Sequence, residues 1–171
     1  MRSTHIFKYF REYYENLNRF FDKFERIHNL EIIIAANPKS NYNIKEKFIG
    51  RKFYKNKTGQ LIKNSNLVFA HSSTAVGFAV IYGKPIINLT SNKLKESWIH
   101  QEILYSSKVL KTSLINIDIY NSARDSEKLN IEKYDKNSYE TYFKTYIKSN
   151  KIENMTSWQI FYSYLIEKNL Y

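Results

Sequence analysis

The feature that most narrows the fold is a set of short, β-branched apolar runs, each closed by polar or turn-forming residues and each followed by a helix-like stretch. The runs are Glu31-Ile32-Ile33-Ile34-Ala35-Ala36, Asn66-Leu67-Val68-Phe69-Ala70, Pro85-Ile86-Ile87-Asn88-Leu89 and Ser113-Leu114-Ile115-Asn116-Ile117. Continuous apolar character over so short a span reads as a strand covered on both faces, and such strands belong to parallel sheets. The intervening segments Thr58–Asn64, Thr74–Tyr82 and Ser97–Ser107 carry helical patterning. Strand and helix therefore alternate as in a doubly wound sheet. The expected class is α/β, a Rossmann-like parallel sheet of about four strands flanked by helices.

Ahead of the first run, apolar and aromatic residues recur in threes and fours from Ile6 through Tyr13, Leu17, Phe20 and Phe24 to Ile27, which predicts a long amphipathic helix. Ser3 or Thr4 can cap its start, His28-Asn29 marks its end, and its aromatic stripe is assigned to core packing. Beyond Asp118 the chain turns polar through Asn121–Asn137, with helices expected at Ser138–Ser149 and Met155–Glu167 packing back onto the sheet. A length of 171 residues without a repeat or low-complexity linker suits one domain, 1–171. A doubly wound nucleotide domain usually opens with a strand and its ligand loop, whereas this chain opens with a helix. The unit is expected to be truncated.

The richest constellation is Leu67-Val68-Phe69-Ala70-His71-Ser72-Ser73-Thr74-Ala75-Val76-Gly77-Phe78-Ala79, a buried strand running through small polar residues into a helix of small apolar ones. At the carboxyl end of a parallel strand, the next helix presents backbone N–H groups and the positive end of its dipole, which favour a phosphate. Ser72, Ser73 and Thr74 add hydroxyl donors. A bare helix cap is the ordinary reading of Ser-Ser-Thr, and its place at a strand terminus is what points to an anion. His71 is read as a packed, hydrogen-bonded residue rather than a catalyst.

Asn37-Pro38-Lys39-Ser40-Asn41-Tyr42 follows the first run and should share that edge, with Lys39 supplying charge and Asn37 an amide able to read a base or ribose. Taken alone it is a turn. Thr58 is placed as a helix cap beside Lys55 and Lys57, Gly83-Lys84-Pro85 as a helix stop, and Thr90-Ser91-Asn92 at a strand end bordering the site.

Charge and composition limit the chemistry. A net charge of +11, from 27 Lys and Arg against 16 Asp and Glu, can attract nucleic acid, anionic lipid or a phosphorylated small molecule. The lysines are scattered among Asn, Ile and Tyr without a like-charged block, as on a solvated surface. The absence of Cys excludes disulfides, thiolate metal sites and cysteine nucleophiles, and fits a reducing cytoplasm. The opening MRSTHIFKYFREYYEN is charged too early for a secretory leader, and no long apolar run occurs, so a soluble or peripheral protein is expected. The sequence contains no Walker loop, no GxGxxG, no HExxH and no DxD, and His5, His28, His71 and His100 lack ligand spacing. No metal or cofactor is expected.

The run TGQLIKNSNLVFAHSSTAVGFAVIYGKPIINLTS resembles the C-terminal, donor-nucleotide-binding half of GT-B glycosyltransferases of bacterial surface-polysaccharide synthesis, the sialyltransferase-, Kdo-transferase- and polyol-phosphate-transferase-like enzymes. In those families a strand before His-Pro and a later Ser-Ser or Ser-Thr turn flank a nucleotide, commonly CMP or CDP, and a Gly-Lys-Pro strand follows. Ser72, Ser73, Thr74 and Gly83-Lys84-Pro85 match the later elements. Asn37-Pro38 stands where His-Pro occurs, and an Asn can donate a hydrogen bond but carries no titratable proton at neutral pH.

The resemblance spans roughly residues 30 to 120. It implies a metal-independent half-site in which Ser72, Ser73, Thr74 and His71 face the donor phosphate, with Asn37, Pro38, Lys39 and Thr58 around the nucleotide. It also implies an acceptor-binding half that nothing here resembles, so the chain is expected to be a fragment, a degenerate or split gene product, or a domain completed by another polypeptide. The implied setting is capsule or lipopolysaccharide synthesis in the cytoplasm, peripheral at the inner face of the membrane, where a basic surface can rest on anionic lipid. Two other classes stay open: a nucleic-acid-binding module using Lys and Tyr, disfavoured because the aromatics fall at core-facing helical spacing, and a catalytically silent partner subunit.

Overall fold

The aromatic stripe of the first segment does form one long helix, α1 (Arg2–His28). A computed structural model describes residues 2–39, 47–123, 129, 131, 133–148 and 155–168, with the side chains of 2–10 and 157 outside that description. Helix α1 begins at Arg2, so Ser3 and Thr4 lie inside it rather than capping it. It stops where Asn29 takes a left-handed φ of 52°, the geometry in which an Asn closes a helix with little strain. Leu17, Phe20, Phe21 and Phe24 are buried on its inner face. Phe20 meets Phe69 and Tyr120 edge-on, with ring centroids 5.3 and 5.0 Å away, the arrangement that ring quadrupoles favour.

Strand β1 (Ile34–Ala36) pairs in parallel with β2 (Phe53–Lys55). A second parallel ladder has the order β3 (Val68–Ala70), β4 (Ile86–Thr90), β5 (Ser113–Asn116). The protein is thus α/β with parallel pairing, as expected, but in two small ladders of two and three strands. Among the described residues no backbone pairing joins β1 to β3, and strands of three residues offer few ladder bonds with which to do so. One hydrophobic core nevertheless contains residues from both ladders, with Ile34 and Phe69 packed against Ile87, Leu89 and Ile117. Burial on both faces holds for β4, every residue of which is buried; β5, at the end of its ladder, exposes Ser113 and Leu114.

Helices α2 (Thr58–Asn64), α3 (Val76–Ile81) and α4 (Trp98–Leu110) occupy the connections. Ile117, read as the last residue of a strand, instead starts α5 (Ile117–Ser122), because the Asn116 side chain accepts from the N–H groups of Asp118 and Ile119 and caps a helix there. Helix α6 (Lys136–Tyr142) continues as a π-turn over Phe143–Ile147 and packs inward through Tyr139, whose hydroxyl donates to the Lys84 carbonyl at 2.8 Å. Helix α7 (Ser157–Glu167) departs from the expectation that it packs onto the sheet. Trp158 is 79% exposed, and Phe161, Tyr162, Tyr164 and Ile166 are exposed as well. A reciprocal capping box between Thr156 and Gln159 holds this helix locally. Among the described residues no helix is long and apolar enough to cross a membrane.

Candidate functional site

Four of the five parallel strands deliver a polar residue to the carboxyl edge: Asn37 after β1, His71 after β3, Ser91 after β4, and Asn116 closing β5. Ligands of open α/β sheets bind outside such ends. Two grooves lie there.

The first, of about 560 Å³, is lined by Asn37 and by Ser72, Ser73 and Thr74. Its far wall comes from α4, through Glu102 and Tyr105, and from Tyr142 and Tyr146 around the π-turn. The Tyr105 and Tyr146 hydroxyls are 2.6 Å apart and the Tyr142 and Tyr146 rings 4.8 Å apart, so the tyrosines form a continuous aromatic surface.

The turn after β3 differs from a cradle of open amides. The N–H groups of Val76, Gly77 and Phe78 donate back to the carbonyls of Ser73, Thr74 and Ala75 at 3.2, 3.1 and 3.0 Å, and Ala75 N–H donates to Ser73 Oγ at 3.2 Å. Helix α3, at six residues, contributes only a short dipole. What the turn offers a ligand is therefore mainly hydroxyl. Ser72 Oγ donates to the Glu102 carboxylate, which leaves Ser73 and Thr74, both exposed, to face the groove. A carboxylate here repels a phosphate placed beside Ser72, yet it suits vicinal hydroxyls, which can donate to both of its oxygens.

His71 is turned away from this groove. Its Nδ1 lies 2.9 Å from the Leu89 carbonyl, to which it can only donate, so in the neutral ring Nε2 accepts from the Tyr13 hydroxyl at 2.6 Å. Burial pushes the imidazole below its ordinary pKa, opposed by the Leu89 contact, and pushes the Tyr13 phenol above its own. The ring is held neutral and fixed between α1 and β4, as the packed reading of His71 anticipates.

The other nominated residues are dispersed. Asn37 Oδ1 accepts from Lys39 N–H at 2.9 Å, closing a small turn around Pro38; all three residues are exposed, and only Asn37 lines the groove. Ser40, Asn41 and Tyr42 lie outside the described residues. Thr58 is the first residue of α2 rather than its cap. Lys57 occupies the cap position, its carbonyl accepting from Leu61 N–H at 2.9 Å, and Thr58 does not line the groove. Glu102, Tyr105, Tyr142 and Tyr146 escaped the sequence reading, since each sits in a helical pattern that marks it only as surface or core.

The second groove, of about 410 Å³, runs between α1 and the carboxyl ends of β4 and β5. Tyr13, Asn16 and Arg19, spaced by about one helical turn, face it from α1, while Ser91 and Asn92 face it from the loop after β4. Asp118 organises the wall: Oδ1 accepts from Asn16 Nδ2 at 2.9 Å and Oδ2 from Asn92 N–H at 2.8 Å. Asn116 Nδ2 donates to Asn92 Oδ1 at 2.8 Å. The Ser91-Asn92 signal was legible at a strand end; the α1 contribution was not.

Fold and grooves together define an α/β protein with polar concavities at the carboxyl ends of parallel strands. Among the described residues no three side chains of His, Asp or Glu gather as metal ligands would. No family model, no curated protein and no solved structure matches the chain.

Proposed function

We propose that the Ser72–Thr74 groove binds a nucleotide and that the chain is the donor nucleotide-sugar-binding part of a glycosyltransferase of bacterial surface-glycan synthesis. The observation that carries this reading is that Asn37 and Ser72–Thr74, remote in sequence and each following a parallel strand, line one groove with an aromatic wall opposite. The tyrosines supply a stacking surface for a base, Glu102 accepts from ribose hydroxyls, and the Ser73 and Thr74 hydroxyls donate to phosphate oxygens. A CMP- or CDP-linked sugar is the favoured ligand. Stabilising the charge of the departing nucleotide in this way is electrostatic catalysis, and an acceptor-binding polypeptide would complete the cleft. The net charge of +11 supports a resting place on anionic lipid, where a lipid-linked acceptor is found.

The test is a thermal-shift and calorimetry panel of CMP, CDP, cytidine and single-stranded oligonucleotide. CMP or CDP should raise the melting temperature in proportion to occupancy. The Ser73→Ala/Thr74→Ala double variant should lose the advantage of CMP over cytidine, and Glu102→Gln should weaken both alike. Stabilisation by single-stranded DNA alone, with a steep salt dependence, would replace this reading with the nucleic-acid one.

A further inference from the structure

We propose that α7 is an exchange arm: two copies of this chain pair about a two-fold axis, each laying α7 on the exposed face of the other's α3, formed by Phe78, Ile81 and, at the helix end, Tyr82. Neither face lines either groove, so the pairing stands whether or not a nucleotide binds beside Ser73.

The first observation is the character of α7. Gln159, Ser163 and Glu167, four residues apart, form one narrow polar stripe, and apolar and aromatic side chains fill most of the remaining circumference. A helix apolar over most of its circumference is a buried helix. Among the described residues neither hydrophobic core contains a residue of α7, and Trp158, Phe161, Tyr164 and Ile166 are each half or more exposed. An isolated helix of 11 residues is marginal in water, so α7 needs a packing partner.

The second is α3. Phe78, Ile81 and Tyr82, at the spacing of neighbours on one helix face, are each more than a third exposed. Phe78 is seated on α2, where a Cβ at Gly59 would come within 3.3 Å of its ring. Within one chain both apolar faces stay exposed, and a second copy covers both at once.

The third is where the arm is rooted. The π-turn ahead of α7 packs on α3, with Ile147 against the cluster of Val76, Ala79 and Val80. An arm leaving from beside α3 reaches the partner's α3 when the two α3 helices lie close to the axis, as in an exchanged element. At about 150–250 Å² for each fully buried aromatic side chain, two arms on two faces cover about 1,000–1,500 Å², the size of a specific dimer. Charge disfavours a lipid surface as the cover. A helix lying on anionic lipid carries Lys and Arg on its polar face, whereas the charge in the polar stripe of α7 is the acidic Glu167.

The experiment is sedimentation velocity of the full chain over about a hundredfold range of concentration. The parent is expected to pass from monomer to dimer, with a melting temperature that rises with concentration. Phe161→Glu on the arm and Ile81→Lys on the face should each weaken dimerisation by about tenfold or more. Circular dichroism at the lowest concentration should show both variants folded like the parent. Should Ile81→Lys unfold, Tyr82→Ser on the same face takes its place. An equimolar mixture of the arm and face variants should recover the dimer, because one arm-to-face contact is then intact. Ile49→Lys, at an exposed residue outside both faces, should dimerise like the parent. The proposal is overturned if the parent stays monomeric, if the arm or the face variant dimerises like the parent, or if the mixture fails to recover, which would mean that α7 pairs with α7. A monomeric parent that sediments with phosphatidylglycerol vesicles would overturn it in favour of a lipid surface, and one destabilised by Phe161→Glu in favour of cover by its own chain.

Discussion

The Tyr13 hydroxyl and His71 Nε2 lie 2.6 Å apart, joining the first helix to the turn after β3. The imidazole is fixed from its other side by the Leu89 carbonyl at 2.9 Å. Tyr13→Phe keeps the ring but leaves a buried imidazole nitrogen without a donor, a change that costs about 1–3 kcal/mol. Urea denaturation at neutral pH measures it. A loss below a few tenths of a kcal/mol would show that water replaces the phenol.

The same pair makes stability depend on pH. Burial holds the folded His71 below the value of about 6.5 that it regains when unfolded. The unfolded chain therefore binds the proton first, and stability falls as pH drops. This contribution is fully present above about pH 6.5 and is lost as pH falls toward the folded value. Denaturation curves at pH 7.5 and pH 5 should show His71→Gln less sensitive to acid than the parent. An identical pH slope would remove His71 from the acid response.

Backbone strain makes opposite predictions at two helix ends. Gly83 has φ +58°, and a Cβ there would meet the Tyr134 hydroxyl at 2.8 Å, so Gly83→Ala should destabilise by about 1–2 kcal/mol. Lys111 closes α4 at φ 50°. Lys111→Gly should stabilise by about 0.5–1 kcal/mol, because glycine adopts that geometry without the Cβ clash. Thermal melts of the two variants should move in opposite directions.

Burial separates two aromatic residues of similar hydrophobicity. Phe20 is 0% exposed within the main core, and Phe20→Ala should cost about 3–5 kcal/mol, enough to threaten folding. Trp158, 79% exposed on α7, should tolerate Trp158→Ser within about 0.5 kcal/mol in the monomer. A large loss at Trp158 in the monomer would mean that α7 is covered by its own chain.

Much of the fold was legible because burial leaves a periodic mark along a single element. The threes and fours of Leu17, Phe20, Phe21 and Phe24 announce one buried face of a helix, and Ile86-Ile87-Asn88-Leu89 announces a strand covered on both sides. Strand β2 left no such mark, because Tyr54 and Lys55 are exposed and three residues are too few for a pattern. Helix α5 was hidden because Asn116 acts through a side-chain cap rather than through hydrophobic period. The candidate sites divide the same way. Ser72–Thr74 and Ser91-Asn92 were visible as small polar residues at strand ends, whereas Glu102, Tyr146 and Arg19 carry no local sign of facing a groove.

By itself, then, the sequence determined the alternation of strand and helix, the aromatic core of α1 and the polar turns that close the strands, since each depends on neighbours a few residues away. Tertiary structure alone decided that the strands pair as two ladders, that Glu102 engages Ser72, that His71 is sealed by Tyr13, and that Arg19 and Asn121 line one groove. Those relationships join residues distant along the chain, and only the packing of α1 and α4 around the strand ends brings them within a hydrogen bond or a groove's width of one another.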